Sequence, residues 1–434
     1  MAGAERADDP VRIQYEAYPY PPRDPRDEAR RLITGSPSHL AEIVHHLRGG
    51  AFDPAAPLRA LVAGGGTGDA AIMLAQQLAD AGATRARVTY LDASAATRRI
   101  AEARAAARGL SNLDFVTGSL LDLAALGLGG FDYVDCCGVL HHLEDPDAGL
   151  AALERGLAPG GGMGLMLYAP LGRIGVYPMQ HALRLLDDGG TPAARVAAAR
   201  RLLAQLPATN WLKRNPFVTD HLVEGDSGLY DLLLHARDRA YAVDEVFDFL
   251  DRAGLRLAAF VPAARYEPRH YLSDPALLRR AEALTPRARA ALAESLAGNI
   301  KCHAFYAVRA DDPVSPPRPD DPDAIPVGAN ADLAAMAKTI GTSGTISASI
   351  DGLTFRLGLP RRAGAMLARI DGRSSLRAIH AALAAQDPRL DAATFMTQFG
   401  ELFAALHAKS SPNWVMNVEL FAALHALGKL MLRR

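Results

Sequence analysis

The feature that most constrains this chain is a glycine turn, "LVAGGGTGD", from Leu61 to Asp69. Glycines at 64, 65, 66 and 68 let the backbone turn sharply, and without Cβ atoms a ligand can approach it closely. The apolar run "LRALVA" before the turn predicts a strand. "DAAIMLAQQLADAG" after it has helical spacing and stops at a glycine. The start of such a helix offers free N–H groups, so a nucleotide-like ligand is one reading of the turn. A tight strand-to-helix connection with no ligand is the other.

Apolar runs and helical patterns keep alternating beyond the turn. "RVTYLDAS", "LDFVTGS", "FDYVDCCG" and "GMGLMLYAP" read as strands, and "AATRRIAEARAAARGL" and "DAGLAALERGLAPGG" as helices. Further along, "AVDEVFDFLDRAG" reads as a helix, followed by strands "LRLAAFVPA" and "IKCHAFYAVRA". Such alternation predicts an α/β fold with a parallel sheet, whose ligands bind at the carboxyl ends of the strands. A largely helical insertion, about residues 171–240, would sit over those ends as a lid or substrate element. Residues 1–30 read as an N-terminal arm and 31–310 as the α/β domain. Residues 311–330, rich in proline and aspartate, read as an exposed linker. Residues 331–434 read as a small α+β domain, with a hairpin turning at Asp351-Gly352 and several helices. "ELFAALHA" occurs at 401–408 and again at 419–426, and a local duplication is the plain reading.

Composition narrows the function classes. Hydrophobic residues make up 49% of the 434 and charged residues 22%, and the net charge is −1. No global field favours nucleic acid or an acidic membrane, and neither partner is expected. Cys136, Cys137 and Cys302 form neither a disulfide framework nor a zinc spacing. No metal is expected. No apolar run approaches the roughly 18–20 residues of a membrane span, and no secretory signal opens the chain. A cytoplasmic location is the expectation.

The glycine turn alone serves two kinds of cofactor. Gly66, Gly68 and Ala71 fit a dinucleotide fingerprint, while Gly64, Gly66 and Gly68 fit the G-x-G-x-G of S-adenosylmethionine enzymes. Asp92, at the end of the next strand, serves either. The segment Phe131 to Tyr168, "FDYVDCCGVLHHLEDPDAGLAALERGLAPGGGMGLMLY", separates them. Phe131-Asp132, then Val139 to Leu143, then Leu157-Ala158-Pro159-Gly160-Gly161 follow one another at characteristic spacing. Over about residues 58–170 the chain resembles the class I S-adenosylmethionine-dependent methyltransferases.

That resemblance implies a Rossmann-like seven-stranded sheet, with a helical insertion after strand five, and S-adenosyl-L-methionine as cofactor. Gly64, Gly66, Thr67 and Gly68 would line its methionine and ribose. Asp92 and Ala93 would lie at the ribose hydroxyls, Ser119 and Leu120 at the adenine, and Gly138 on the methionine side. The family often has an aspartate where Ser119 stands, and an acidic residue where Val62 stands.

"IQYEAYPYPPRDP", Ile13 to Pro25, holds three tyrosines in a proline-rich segment read as extended. It is similar to an N-terminal lid found ahead of some of these domains. The resemblance places Tyr15 at the cofactor and Tyr18 and Tyr20 toward the substrate; packing of all three on the core is the alternative. Methyl transfer needs a base only when the acceptor is protonated. His141, His142 and Tyr20 are the catalytic candidates. In the insertion, Arg173, Tyr177, His221 and His235 are the substrate-side candidates. Asp231 and His235 are four apart and share a helix face. With His221 they can be pictured as a metal site, but a polar flank or substrate wall is preferred. The tail, through "LARIDGRSSLRAI", is similar to PqqD-like or winged-helix-like modules, which implies a peptide or protein partner. A peptide or protein acceptor is therefore preferred over a small molecule, and a homodimer is one option for assembly. A non-catalytic cofactor-binding regulator and a nicotinamide-dependent oxidoreductase are the alternative functions.

Overall fold

The computed structural model describes residues 9–35, 37–328, 333–340, 345–350, 353–407 and 430–433. Its centre is a seven-stranded sheet in the order β3-β2-β1-β4-β5-β7-β6. The strands are β1 (Leu58–Ala63), β2 (Ala86–Asp92), β3 (Leu113–Thr117), β4 (Phe131–Cys137), β5 (Leu157–Tyr168), β6 (Leu255–Val261) and β7 (Cys302–Arg309). The first five run parallel, and β7 runs antiparallel to β5 and β6. Chain order reverses between β1 and β4, so the connections leaving these neighbours diverge and open a crevice at their carboxyl ends.

The apolar runs are continuous because both faces of the sheet are covered. Alternate residues serve opposite cores. Ala60 and Val62 pack with Ile43 of α2 (Leu40–Leu47), Leu74 of α3 (Asp69–Asp80) and Ala101 of α4 (Ala95–Ala107). Leu61 and Ala63 share the other core with Leu153 of α5 (Pro146–Gly156), which also takes in Phe249 and Ala290 from two later helices. Helix starts follow their sequence signals. Ser94 accepts the Thr97 N–H at the start of α4, and Asp145 accepts the Ala148 N–H ahead of Pro146 in α5.

The arm read as extended is partly helical. Asp9 caps Val11, Pro10 fits the first turn, and helix α1 runs over Pro10–Ala17. Between β5 and β6 the chain leaves the sheet for helices at Val176–Leu185, Pro192–Gln205, Trp211–Arg214, Asp220–Val223 and Gly225–Leu233. Their apolar faces build a separate core around Val176, Met179, Leu229 and Leu233. In the tail, strands Thr345–Ile350 and Leu353–Gly358 pair antiparallel across the predicted turn, whose two residues lie outside the described ones. Phe395, Phe399 and Phe403 recur every four residues along Ala392–His407 and anchor the tail's own core. The second "ELFAALHA" lies outside the described residues.

Proline and aspartate make residues 311–328 look like a free linker, yet both ends are tied down. Arg256 donates to the carbonyls of Asp312 and Val314, and Ala324 is buried in the tail core. Ile325–Gly328 pairs with Leu430–Arg433. The tail meets the sheet domain at α2, where Phe403 lies against His45. Among the described residues no helix is long and apolar enough to cross a membrane.

One buried ion network holds the arm to the glycine turn. The Arg104 guanidinium, 1% exposed, pairs at 2.6 Å with Glu28 and at 2.6 Å with Asp69, and it donates to the Thr67 carbonyl. Arg104→Met leaves Glu28 buried with less counter-charge, and removing one partner of a buried pair costs on the order of 3–5 kcal/mol. We expect a loss of about 3 kcal/mol in urea unfolding, with Arg104→Lys losing less.

Candidate active site

A cavity of about 720 Å³ opens at the crevice between β1 and β4, within the size range of sites for one small ligand. The glycine turn forms its floor. Gly64 has φ +73°, and a Cβ there would lie 2.3 Å from a Val139 methyl carbon, so no other residue fits. Asp92 stands at the end of β2. One of its oxygens accepts the Gly66 N–H at 2.8 Å, and the other accepts the Ser94 N–H at 2.8 Å and the Thr97 hydroxyl at 3.1 Å. Burial raises its pKa, and these hydrogen bonds oppose the rise.

Of the residues expected at a cofactor, Tyr15, Gly64, Gly66, Thr67, Asp92, Ala93, Ser119, Leu120 and Gly138 all line this cavity. Gly68 is not among its walls. It caps α3 at φ +103°, where a Cβ would press on Ala101. The Ser119 hydroxyl already accepts the Leu121 N–H. Asp122, one short turn on, also lines the cavity. Sequence reading passed over it, although "SLLD" places an acid three residues beyond the serine.

The arm closes one side. Glu16 accepts the Ala95 N–H at 2.5 Å, at the start of α4. The Pro21 carbonyl accepts the Thr67 hydroxyl, and Arg23 pairs with Asp69 at 2.7 Å. Tyr15 and Tyr20 line the cavity. Burial, with a smaller contribution from Asp231, raises the pKa of the Tyr20 phenol. Tyr18 instead stacks on Tyr230 in the insertion, ring centres 5.2 Å apart.

The far end of the cavity is polar and buried. Asp231 reaches it from the insertion and Tyr168 from the end of β5. The Tyr15 hydroxyl donates to Asp231 at 2.9 Å and the Tyr168 hydroxyl at 3.4 Å. Burial lifts the Asp231 carboxyl to about 7, against the Tyr15 hydrogen bond. His142 lines the cavity and stacks on His235 with ring centres 3.7 Å apart. The backbone of Arg237 sets both tautomers. Its N–H donates to His235 Nδ1, so the neutral ring carries its proton on Nε2. That Nε2 lies 3.3 Å from the Tyr15 oxygen. The Arg237 carbonyl accepts from His142 Nδ1, which leaves Nε2 of that ring unprotonated. Burial holds His142 down at about 4 and His235 well below its usual value.

His142, Asp231 and His235 bring one potential ligand atom each within 4.8 Å of one another. A proton on His235 Nε2 makes that nitrogen a donor rather than a ligand. His141 lies beneath His142, buried, with its ring 4.1 Å from Tyr168 and neither nitrogen hydrogen-bonded among the described residues. Arg173, Tyr177, His221 and His235 are not among the cavity's walls. Arg173 lies 3.7 Å over the Tyr168 ring, pairs with Asp238 at 2.8 Å and bonds Tyr177, so it supports the wall from behind. His221 is buried in the insertion.

Comparison with known proteins gives the same reading. A family model described as a methyltransferase domain matches residues 61–163. An uncharacterised protein of Synechococcus sp. is 34% identical over 307 residues, covering 68% of this chain and 70% of that one. The chain carries an S-adenosylmethionine-dependent methyltransferase domain. A ubiquinone biosynthesis O-methyltransferase of Paracidovorax citrulli is 26% identical to this methyltransferase over 213 residues, 45% of the chain and 85% of the relative. In fold it is similar to PKMT2 from Rickettsia typhi, with a TM-score of 0.58 and 13% identity, over 84% of this chain and 72% of that one.

The cavity of the methyltransferase fits its cofactor. The glycine turn leaves room for close approach, Asp92 brings carboxylate acceptors to the cavity wall, and the volume suits one such molecule. Asp92→Ala removes those acceptors and also frees the Gly66 N–H. We expect S-adenosylhomocysteine binding to weaken by about 2 kcal/mol in calorimetric titration, with the fold retained by circular dichroism. Unchanged affinity would remove Asp92 from the site.

Proposed function

We propose that this methyltransferase alkylates a protic nucleophile, an amine or a hydroxyl, carried on a peptide or protein, and that Asp231 is its general base. The observation that carries the reading is the Asp231 carboxylate, buried, in the cavity wall and held by Tyr15 and Tyr168. S-adenosylmethionine, when bound, supplies an electrophilic methyl group. The chain's work is to align the acceptor, exclude water and take its proton. Asp231 suits the last task because a base works best with a pKa near the working pH. His142, held at about 4, is the weaker base, and in this reading it shapes the wall with Tyr20. Gly64, Gly66, Thr67, Asp92, Ala93, Ser119, Leu120, Asp122 and Gly138 are the proposed cofactor contacts. Arg173, Tyr177 and His235 position the acceptor end from behind, and Tyr18 and His221 stiffen the insertion.

One feature supports a macromolecular acceptor. The tail has its own core and, among the described residues, gives none to the cavity, as expected of a module that engages a partner elsewhere. To test this, the chain is incubated with methyl-tritiated S-adenosylmethionine and an extract of its source cells, split into protein and small-molecule fractions. Label in the protein fraction supports the reading. Label only in the small-molecule fraction overturns the choice of acceptor, and no label in either favours a non-catalytic cofactor-binding protein.

The base has a pH signature. Only deprotonated Asp231 can take a proton, so turnover should rise as pH passes about 7 and then level off. Asp231→Asn should lower kcat about 100-fold and abolish that rise, with cofactor affinity little changed. A variant that keeps the rise would place the base elsewhere.

A further inference from the structure

Asp135 presents a carboxylate to the cavity that the reaction outlined above does not use. It sits near the end of β4, 1% exposed, and pairs across the sheet with Val62 of β1, which also lines the cavity. Ser38 donates to it at 2.6 Å and the Cys137 thiol lies at 3.7 Å. Among the described residues it forms no ion pair with an arginine, lysine or histidine. A buried carboxylate without a cation is costly, and burial duly raises its pKa to about 6. The cavity beside it would therefore stabilise a matching positive charge.

We propose that Asp135 holds the α-ammonium group of the cofactor's methionine part, with Ser38 orienting the carboxylate. The proposal rests on the cofactor reading of the cavity and extends it to one atom. Three observations favour the ammonium over other positive groups. Asp135 lies beside Cys137 and Gly138, where β4 meets the glycine turn. Asp231, another buried carboxylate of the cavity, already receives the hydroxyls of Tyr15 and Tyr168, and Asp92 already accepts from Gly66, Ser94 and Thr97. Val62 brings no charge to the β1 side of this pair, so Asp135 alone supplies one at this level of the two strands.

The test is a binding matrix on the full chain. Wild type and Asp135→Asn are titrated with S-adenosylhomocysteine, S-adenosylmethionine and 5′-methylthioadenosine. The first carries the ammonium without the sulfonium, the second carries both, and the third carries neither. Asp135→Asn should weaken both amino-acid-bearing ligands roughly 10- to 100-fold and leave 5′-methylthioadenosine unchanged. Unchanged binding of S-adenosylhomocysteine overturns the assignment, as does equal weakening of all three ligands, which would mark Asp135 as structural. A loss confined to S-adenosylmethionine would move the carboxylate to the sulfonium and overturn it too. Failure of wild type to bind any of the three would instead refute the cofactor reading beneath it.

Discussion

The site depends on space left by missing side chains. At Gly65 an added Cβ would fall 2.3 Å from the Tyr90 ring, as one at Gly64 would strike Val139. Tyr90 comes from β2 and Val139 follows β4, so the end of β1 is gripped from both neighbouring connections. Tyr90 then donates its hydroxyl to the Gly66 carbonyl at 2.6 Å, while Asp92 on the same strand takes the Gly66 N–H. Both polar groups of one left-handed residue are thus spoken for by β2. The turn is rigid because its neighbours fill the volume that side chains would have occupied.

Charge extends this rigidity to the arm. Asp69 opens α3 immediately after the turn, and it pairs both with Arg23 of the arm and with Arg104 of α4. Glu28 is shared by Arg104 and Arg108. An arm that would otherwise be a proline-stiffened tether is therefore joined to the same helices that frame the cofactor cavity. The cost of desolvating these groups is offset because each buried charge meets more than one partner.

Much of this was legible in the sequence. The 2- and 3.6-residue periods placed the strands and helices, and the glycines with Asp92 located the floor of the cavity. What the pattern could not show was contact across long separations. Asp135 is one residue of an apolar strand, and only the β1–β4 register sets it opposite Val62. Asp231 and His235 showed their helical spacing, but their meeting with Tyr15 joins residues over 200 positions apart. Tyr168 was the nearest miss, since a tyrosine at the carboxyl end of a central strand already points to the crevice. The arm was misjudged where local capping by Asp9 outweighed the proline content, and the bonds that Arg256 makes to the linker backbone were beyond any local pattern.

The walls of the cavity are drawn from residue 9 through residue 231, with the sheet's last two strands made later still. A ribosome delivering the chain from its amino end releases the arm first and the carboxylate that meets it more than two hundred residues afterwards. Until then Tyr15 has no Asp231 to bond, and the β5 edge has no β7 beside it. The cofactor can be enclosed only by a nearly finished sheet, so premature termination before the insertion yields a glycine turn with no closed chamber above it.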